Sequence, residues 1–509
     1  MISRVLGFVR DVMLASILGA GMVADCFVMA FKFPNFFRRM FAEGAFNAAF
    51  VPIFSSIIEN DGLTEVERRE HARQFAEEAM AFLFYTLLIF LVVTEVFMPW
   101  LLMGPALGFL NDQPKYDLAV LLTRLTFPYL MFISLVSLLG GVLNAIGKFA
   151  AVAFTPVLLN GVMITALYIG SHYTNVPAHV LSVGVTVAGI VQFLWLVGAL
   201  KRYKMSISLK RPRLTPGIKR LLKLILPAAV GAGAFQINLL IDVFLAGFLK
   251  DGSLSFLYYA DRINQLPVGV VGVAVGTALL PLLSRQVAAG NSEGAMNSQN
   301  RAIEMVLYLT IPAAVAIIAL SQPMIRVLYE RNAFTPATTL ATAAALSAFA
   351  VGLPAYVLVK VLGPGFYARH DTATPVRYAM VSMGVNFLLN VALIFPLQHV
   401  GIALATALAA WLNVGQLTYG LIKRSYFKAD DRLKKRTVAV IISSAVMGFT
   451  VWYGARLLDG PLHGNAGAKV STLMGLIVLG MGIYGVMSLI TGALTLGELK
   501  KLNRFKAKA

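Results

Sequence analysis

The stretch MISRVLGFVRDVMLASILGAGMVADCFVMAFKFPNFFRRMFAEGAFNAAFVP, residues 1–52, decides how this chain is read. It is apolar enough to enter a membrane, yet it carries Arg4, Arg10, Asp11, Asp25, Lys32, Arg38, Arg39 and Glu43. An ionised group near the bilayer centre costs about 2.5–3.5 kcal/mol on insertion scales. Several such groups in two successive helices must face each other or a wet cavity, and here the surplus is positive. The stretch therefore reads as two helices lining a chamber that holds an anion inside a membrane protein.

The rest of the chain agrees with a membrane origin. Of 509 residues, 58% are hydrophobic and 13% charged, against about 25% charged in soluble proteins. Such a chain is an all-α polytopic membrane protein, long enough for fourteen spans of about 20 apolar residues with short loops. Apolar runs place the helices near 2–20, 24–57, 75–103, 117–145, 149–171, 178–201, 217–249, 253–287, 299–320, 334–362, 373–395, 399–423, 436–457 and 469–493. The polar residues 58–74 read as an amphipathic approach to the third. The single cysteine, Cys26, excludes an internal disulfide. No small-residue cleavage site follows the first apolar run, so no cleavable signal is expected. A net charge of +19 would suggest nucleic acid in a soluble protein. Here the excess Lys and Arg lie in loops after even-numbered helices, densest at 201–223 and 423–436. That pattern puts those loops and both termini in the cytoplasm and implies no nucleic-acid partner.

An internal duplication is visible. AAFVPIFSS (48–56) matches TALLPLLSR (277–285), pairing Pro52 with Pro281 and Ser55 with Ser284, and the same offset pairs Asn35 with Asn264. Further on, VL, eleven residues and TPV occur at 142–157 and again at 361–376. The expected organisation is an N-lobe over 1–200, a basic cytoplasmic linker at 201–216 and a C-lobe over 217–425. An appended helix pair over 436–493 and a basic tail over 494–509 complete the chain. Six helices per lobe is an even number, so the lobes are parallel repeats, and repeats of this kind carry a transporter site at their interface.

The charges fall into two constellations. Arg4 and Asp11 are seven residues apart, about 20° off one helical stripe, and Arg10 adds a row beside Asp11. Asp25 and Lys32 share a stripe in the next helix, before Pro34 kinks it. The second lobe supplies Asp261 and Arg262 in YYADRINQLP (258–267). Arginine is permanently charged and grips phosphate oxygens with two parallel hydrogen bonds. Arginines facing a chamber fit a phosphate or pyrophosphate, with Asp11, Asp25 and Asp261 holding them when the chamber is empty. Snorkelling to the interface is the alternative, easiest for Arg38 and Arg39. The second constellation is Asp242, Asn386, Asn390 and Thr406. These oxygens suit a hard cation such as Na⁺, and they equally suit interhelical hydrogen bonds.

Nothing reads as an enzyme. There is no P-loop for ATP, and His71, His172, His179, His370, His399 and His463 lack metal-ligand spacing.

SRVLGFVRD (3–11), ADCFVMAFKFPNFFRRMFAEGAFNAAFVP (24–52) and YYADRINQLPVGVVGVAVGTALLPLLSR (258–285) together resemble the MurJ (MviN) family. These are the lipid II flippases of bacterial peptidoglycan synthesis, in the MOP exporter superfamily. The resemblance spans essentially the whole chain. It implies a secondary-type transporter of the inner membrane that moves lipid II from the cytoplasmic to the periplasmic leaflet by alternating access. It assigns the pyrophosphate to Arg4, Arg10, Arg38, Arg262 and Lys32, and gives the last helix pair a groove for the prenyl tail. Membrane lipids, and the peptidoglycan synthesis machinery, are the implied partners. The driving force would be the membrane potential or Na⁺, the latter on Asp242, Asn386, Asn390 and Thr406. Gln265 stands where many relatives carry Glu, and Asn390 where some Na⁺-binding relatives carry an acid. An exporter of another polyprenyl-linked glycan or amphiphile is the alternative within the superfamily. A non-transporting scaffold would gain nothing from buried charge.

Overall fold

The computed structural model describes residues 2–40, 46–59, 62, 64–495 and 497, apart from the side chains of 47, 48, 226–240 and 273. Glu43 and most of the basic tail 494–509 lie outside the described residues. Within them the protein is all-α, with no strand. The helices are α1 (Ile2–Leu18), α2 (Met22–Phe37), α3 (Asn47–Ile58), α4 (Glu65–Met103), α5 (Gln113–Thr126), α6 (Tyr129–Ala145), α7 (Phe149–Tyr173) and α8 (Pro177–Arg202). They continue with α9 (Pro216–Ala246), α10 (Ser253–Pro267), α11 (Val273–Ala288), α12 (Ser292–Tyr329), α13 (Pro336–Tyr367) and α14 (Ala373–Lys423). The last three are α15 (Asp431–Leu457), α16 (Asp459–His463) and α17 (Ala466–Ile490).

Among the described residues, ten helical stretches are long and apolar enough to cross a membrane. Fourteen were expected. α1 and α2 are only 17 and 16 residues long, and α14 contains two expected helices in one stretch. Gln398, at φ 50° and ψ −132°, breaks α14 where the sequence separates 373–395 from 399–423. α5 and α6 form one expected helix bent at Phe127–Pro128, and α10 and α11 form another. The polar approach to the third helix is itself helical from Glu65. Thr64 caps it, accepting from Glu67 N while the Glu67 carboxylate accepts from Thr64 N at 2.9 Å.

The duplication reappears as local backbone geometry. π-helical turns occupy 38–40 and Val268–Gly272, at nearly matching places in the two copies. A π turn widens a helix and leaves its hydrogen-bond ladder out of register. Pro267, which has no N–H to give, stands at the entrance of the second.

The helices gather into two compact units. The first comprises residues 1–255 with 332–334. In it α1 packs on α7, α2 on α5, and α6 and α7 on α8. It also takes in the basic segment 201–216 and α9. Buried Glu77 of α4 accepts from Ser208 N and Oγ and pairs with Lys210 at 2.5 Å, while Glu78 accepts from Thr215 Oγ1 at 2.7 Å. α9 then packs on α3 and α4. The second unit comprises 256–331 with 335–509. α13 lies between α12 and α14, around a core that includes Val357, Val361, Phe366, Leu283 and Leu421. α15 and α17 form a hairpin against α12 through Leu320, Val451 and Leu476.

Candidate anion-binding site

In the first unit α1 carries a buried ion pair. Arg10 and Asp11 are 6% and 4% exposed. Arg10 donates from Nε and Nη2 to Asp11 Oδ1, at 3.0 and 2.7 Å. Its Nη1 donates to Asn160 Oδ1 of α7 at 3.0 Å. The guanidinium also stands 6.0 Å from the Phe31 ring centre of α2. Asn160 is itself fixed, donating to Ser3 O at 3.0 Å and Pro156 O at 2.9 Å. The arginine is thus pinned from three elements, with its charge balanced by the next residue. Arg4, a turn and a half earlier, is exposed. Lys32 and Arg38 are half-buried on and just beyond α2, where Arg38 Nε donates to Asn35 Oδ1 at 2.9 Å.

Asp25 departs from expectation. It was expected to hold the chamber arginines, but its carboxylate serves a different network. Oδ1 accepts from Ser255 N at 2.9 Å and Ser255 Oγ at 2.6 Å, and Oδ2 accepts from Gly252 N at 2.8 Å. Lys115 Nζ lies 3.9 Å from Asp25 and 2.6 Å from Asp251. The reason is position: Asp25 is in the first turn of α2, where it meets the α9–α10 turn. Lys32 is two turns further on, so a shared stripe does not make a shared site.

In the second unit Asp261 and Arg262 are half-buried on α10. Arg262 Nη2 donates to the Tyr258 hydroxyl at 3.2 Å, and the guanidinium stacks on that ring at 4.8 Å. Asp261 accepts from Gln265 one turn later. A neutral amide at 265 can donate to Asp261, which a second carboxylate could not.

The candidate cation residues divide between the units. Asp242 belongs to the first and the other three to the second. On α14, Asn390 Nδ2 donates to Asn386 Oδ1 at 3.0 Å, and Asn386 Nδ2 faces Thr406 Oγ1 at 3.4 Å. The three form a hydrogen-bonded ladder. No group of three His, Cys, Asp or Glu able to hold a metal occurs among the described residues.

Sequence reasoning missed Asn160, Lys115 and Tyr258. A lone amide in the apolar run PVLLNGVMI (156–164) was the one signal for Asn160. The other two depend on contacts no spacing rule reveals.

Comparison with known proteins bears on what these groups serve. A family profile described as "Lipid II flippase MurJ" matches residues 14–465. The "Probable lipid II flippase MurJ" of Rhizobium tropici is 44% identical over 506 residues, covering 98% of this chain and 93% of the relative. A solved structure described as "Lipid II flippase MurJ, inward closed conformation" is 27% identical with a TM-score of 0.78, covering 96% of each chain. An inward-facing multidrug-resistance MATE transporter of the MOP superfamily shares the fold at a TM-score of 0.64 and 17% identity, covering 85% of this chain and 96% of its own.

Proposed function

This chain belongs to the lipid II flippase MurJ family, and from that membership we propose how its multi-pass architecture works. It carries lipid II from the cytoplasmic to the periplasmic leaflet of the bacterial inner membrane for cell-wall synthesis, with both termini in the cytoplasm. It is a transporter and not an enzyme: lipid II leaves as it entered, with no bond made or broken. The observation that carries the reading is near-full-length similarity to lipid II flippases together with a buried, pre-oriented arginine in α1.

The pyrophosphate is the group the arginines would take. Arg10 is held by Asp11 and Asn160, so its planar fork is already oriented, and phosphate oxygens can compete for its N–H groups. Arg262, whose guanidinium donates to the Tyr258 hydroxyl and stacks on that ring, supplies the second cation. Arg4, Arg38 and Lys32 add positive charge that draws the head group in. Asp11 and Asp261 keep this charge balanced between substrates. The appended α15–α17 hairpin offers an apolar flank for the prenyl chain.

The membrane potential supplies the drive. An inside-negative potential favours outward movement of an anion by about 2.3 kcal/mol per charge per 100 mV. No step is routed through Na⁺. The reading is tested by reconstituting the protein in sealed vesicles with lipid II on one leaflet. Arrival of lipid II on the other leaflet faster than in protein-free vesicles supports it. Equal rates contradict it.

A further inference from the structure

A cavity of about 220 Å³ lies in the second unit where the start of α15 meets α12 and the chain leaving α17. Arg301 and Glu304 of α12 and Arg432 and Arg436 of α15 form its charged wall, and Val440 and Leu494 belong to its apolar wall. All three helices are long and apolar enough to cross a membrane. In α12 the uncharged run 305–325 begins directly after Glu304, and in α15 the uncharged run 437–455 begins directly after Arg436. The cavity therefore sits where spanning helices pass from hydrocarbon to water. Under the orientation proposed above, that level is the cytoplasmic surface of the membrane.

The charges at this cavity do not cancel. The Glu304 carboxylate, 11% exposed, accepts from Arg301, Arg436 and Arg432, the last at 3.2 Å. Arg301 also donates to Asp430. Three guanidiniums thus share two carboxylates. Arg301 Nε is buried and meets no hydrogen-bond acceptor among the described residues. A buried donor without an acceptor is costly, and an anionic oxygen in the cavity would take both that N–H and the surplus positive charge. A small soluble anion would leave the apolar wall unused. A phosphate carried on an acyl chain uses both walls.

We propose that Arg301, Arg432 and Arg436 bind the phosphate of an anionic phospholipid resident in the leaflet at this level, with an acyl chain along Val440 and Leu494. Basic pockets between spanning helices at the cytoplasmic surface are suited to such head groups. The bound phosphate neutralises the arginine surplus and bridges α12 to α15. None of these residues is assigned to lipid II above, so the site goes beyond the flippase reading and does not depend on it.

The test titrates radiolabelled phosphatidylglycerol onto the purified full-length protein in neutral detergent micelles. Phosphatidylcholine, inorganic phosphate and undecaprenyl pyrophosphate serve as competitors. The wild type should bind phosphatidylglycerol, and Arg432→Gln and Arg436→Gln should each weaken it about tenfold. Lys434→Gln makes the same change of charge on a side chain that is 64% exposed and outside the cavity, and it should leave affinity unchanged. Melting temperatures equal to wild type show that the variants are folded. Arg432, 48% exposed, keeps the test decisive if Arg436→Gln melts early. Wild-type affinity in folded Arg432→Gln overturns the site. Equal weakening by Lys434→Gln also overturns it, since the attraction is then a diffuse surface effect. Phosphatidylcholine competing as well as phosphatidylglycerol removes the requirement for an anionic lipid and contradicts the proposal. Displacement by inorganic phosphate, or by undecaprenyl pyrophosphate at lower concentration than phosphatidylglycerol itself, gives the cavity to a free anion or to the transported lipid and overturns a resident phospholipid.

Discussion

Arg10 and Asp11 occupy one turn of α1 and are buried together. Removing one member of a buried pair strands the other, at about 3–5 kcal/mol, whereas replacing both with apolar residues of similar size is often neutral. Arg10→Ala should therefore lose stability as well as transport. The double variant Arg10→Met/Asp11→Leu should regain stability and stay inactive, and thermal melts beside a transport assay separate the two effects. A transport-competent double variant would show the pair to be a packing device. Asp25 gives a second prediction. Asp25→Asn would turn an amide N–H₂ toward Ser255 or Gly252, whose groups donate, so a loss of about 1–3 kcal/mol is expected. Melting together with proteolysis at the α9–α10 turn would reveal it, and unchanged melting would argue against that network. These residues also mark what the sequence could reveal. The charges of α1 and α2 were legible because ionised groups in an apolar run are costly. Their partners were not, since Gly252 and Ser255 lie 227 and 230 residues from Asp25 and Asn160 lies 150 from Arg10.

Helix placement followed from apolar run length, because lipid forces each span to satisfy its own backbone. Interruptions were harder to foresee. Pro267 ends α10, and the backbone continues with a π turn. The break at Gln398 lies between two expected helices, but its close packing had no signature. A Cβ on Gly401 would stand 2.3 Å from the Leu393 carbonyl oxygen, and backbone cannot yield as a side chain can. Gly401→Ala should cost about 1–3 kcal/mol. Gln398→Gly should be neutral or stabilising by up to about 1 kcal/mol, because its positive φ suits glycine. Melts showing the reverse order would refute this view of the break. The α13–α14 turn carries a pH prediction. Burial alone would raise the Asp371 carboxyl, but hydrogen bonds from Thr374 and the Arg424 guanidinium outweigh it and hold it below its ordinary value. A lowered folded pKa gives stability that is present above the unfolded value of about 3.9 and is lost as pH falls through the folded one. Asp371→Asn should lower stability at neutral pH and flatten its acid decline. Parallel stability curves for the two proteins would contradict the assignment.

At the scale of the whole molecule, the account joins a repeated membrane fold to a surplus of positive charge. If the potential drives the proposed export of an anionic lipid, collapsing an inside-negative potential in sealed vesicles should slow outward movement. Movement indifferent to potential would remove that driving force from the account. The central claim is that arginines of α1 and α10 bind the head group, and complementation tests it most directly. Cells depleted of their own lipid II flippase would receive the wild-type protein, Arg10→Ala or Arg262→Ala, with membrane expression checked for each. The account predicts growth with the wild type and none with either expressed variant. Full rescue by both variants would contradict it.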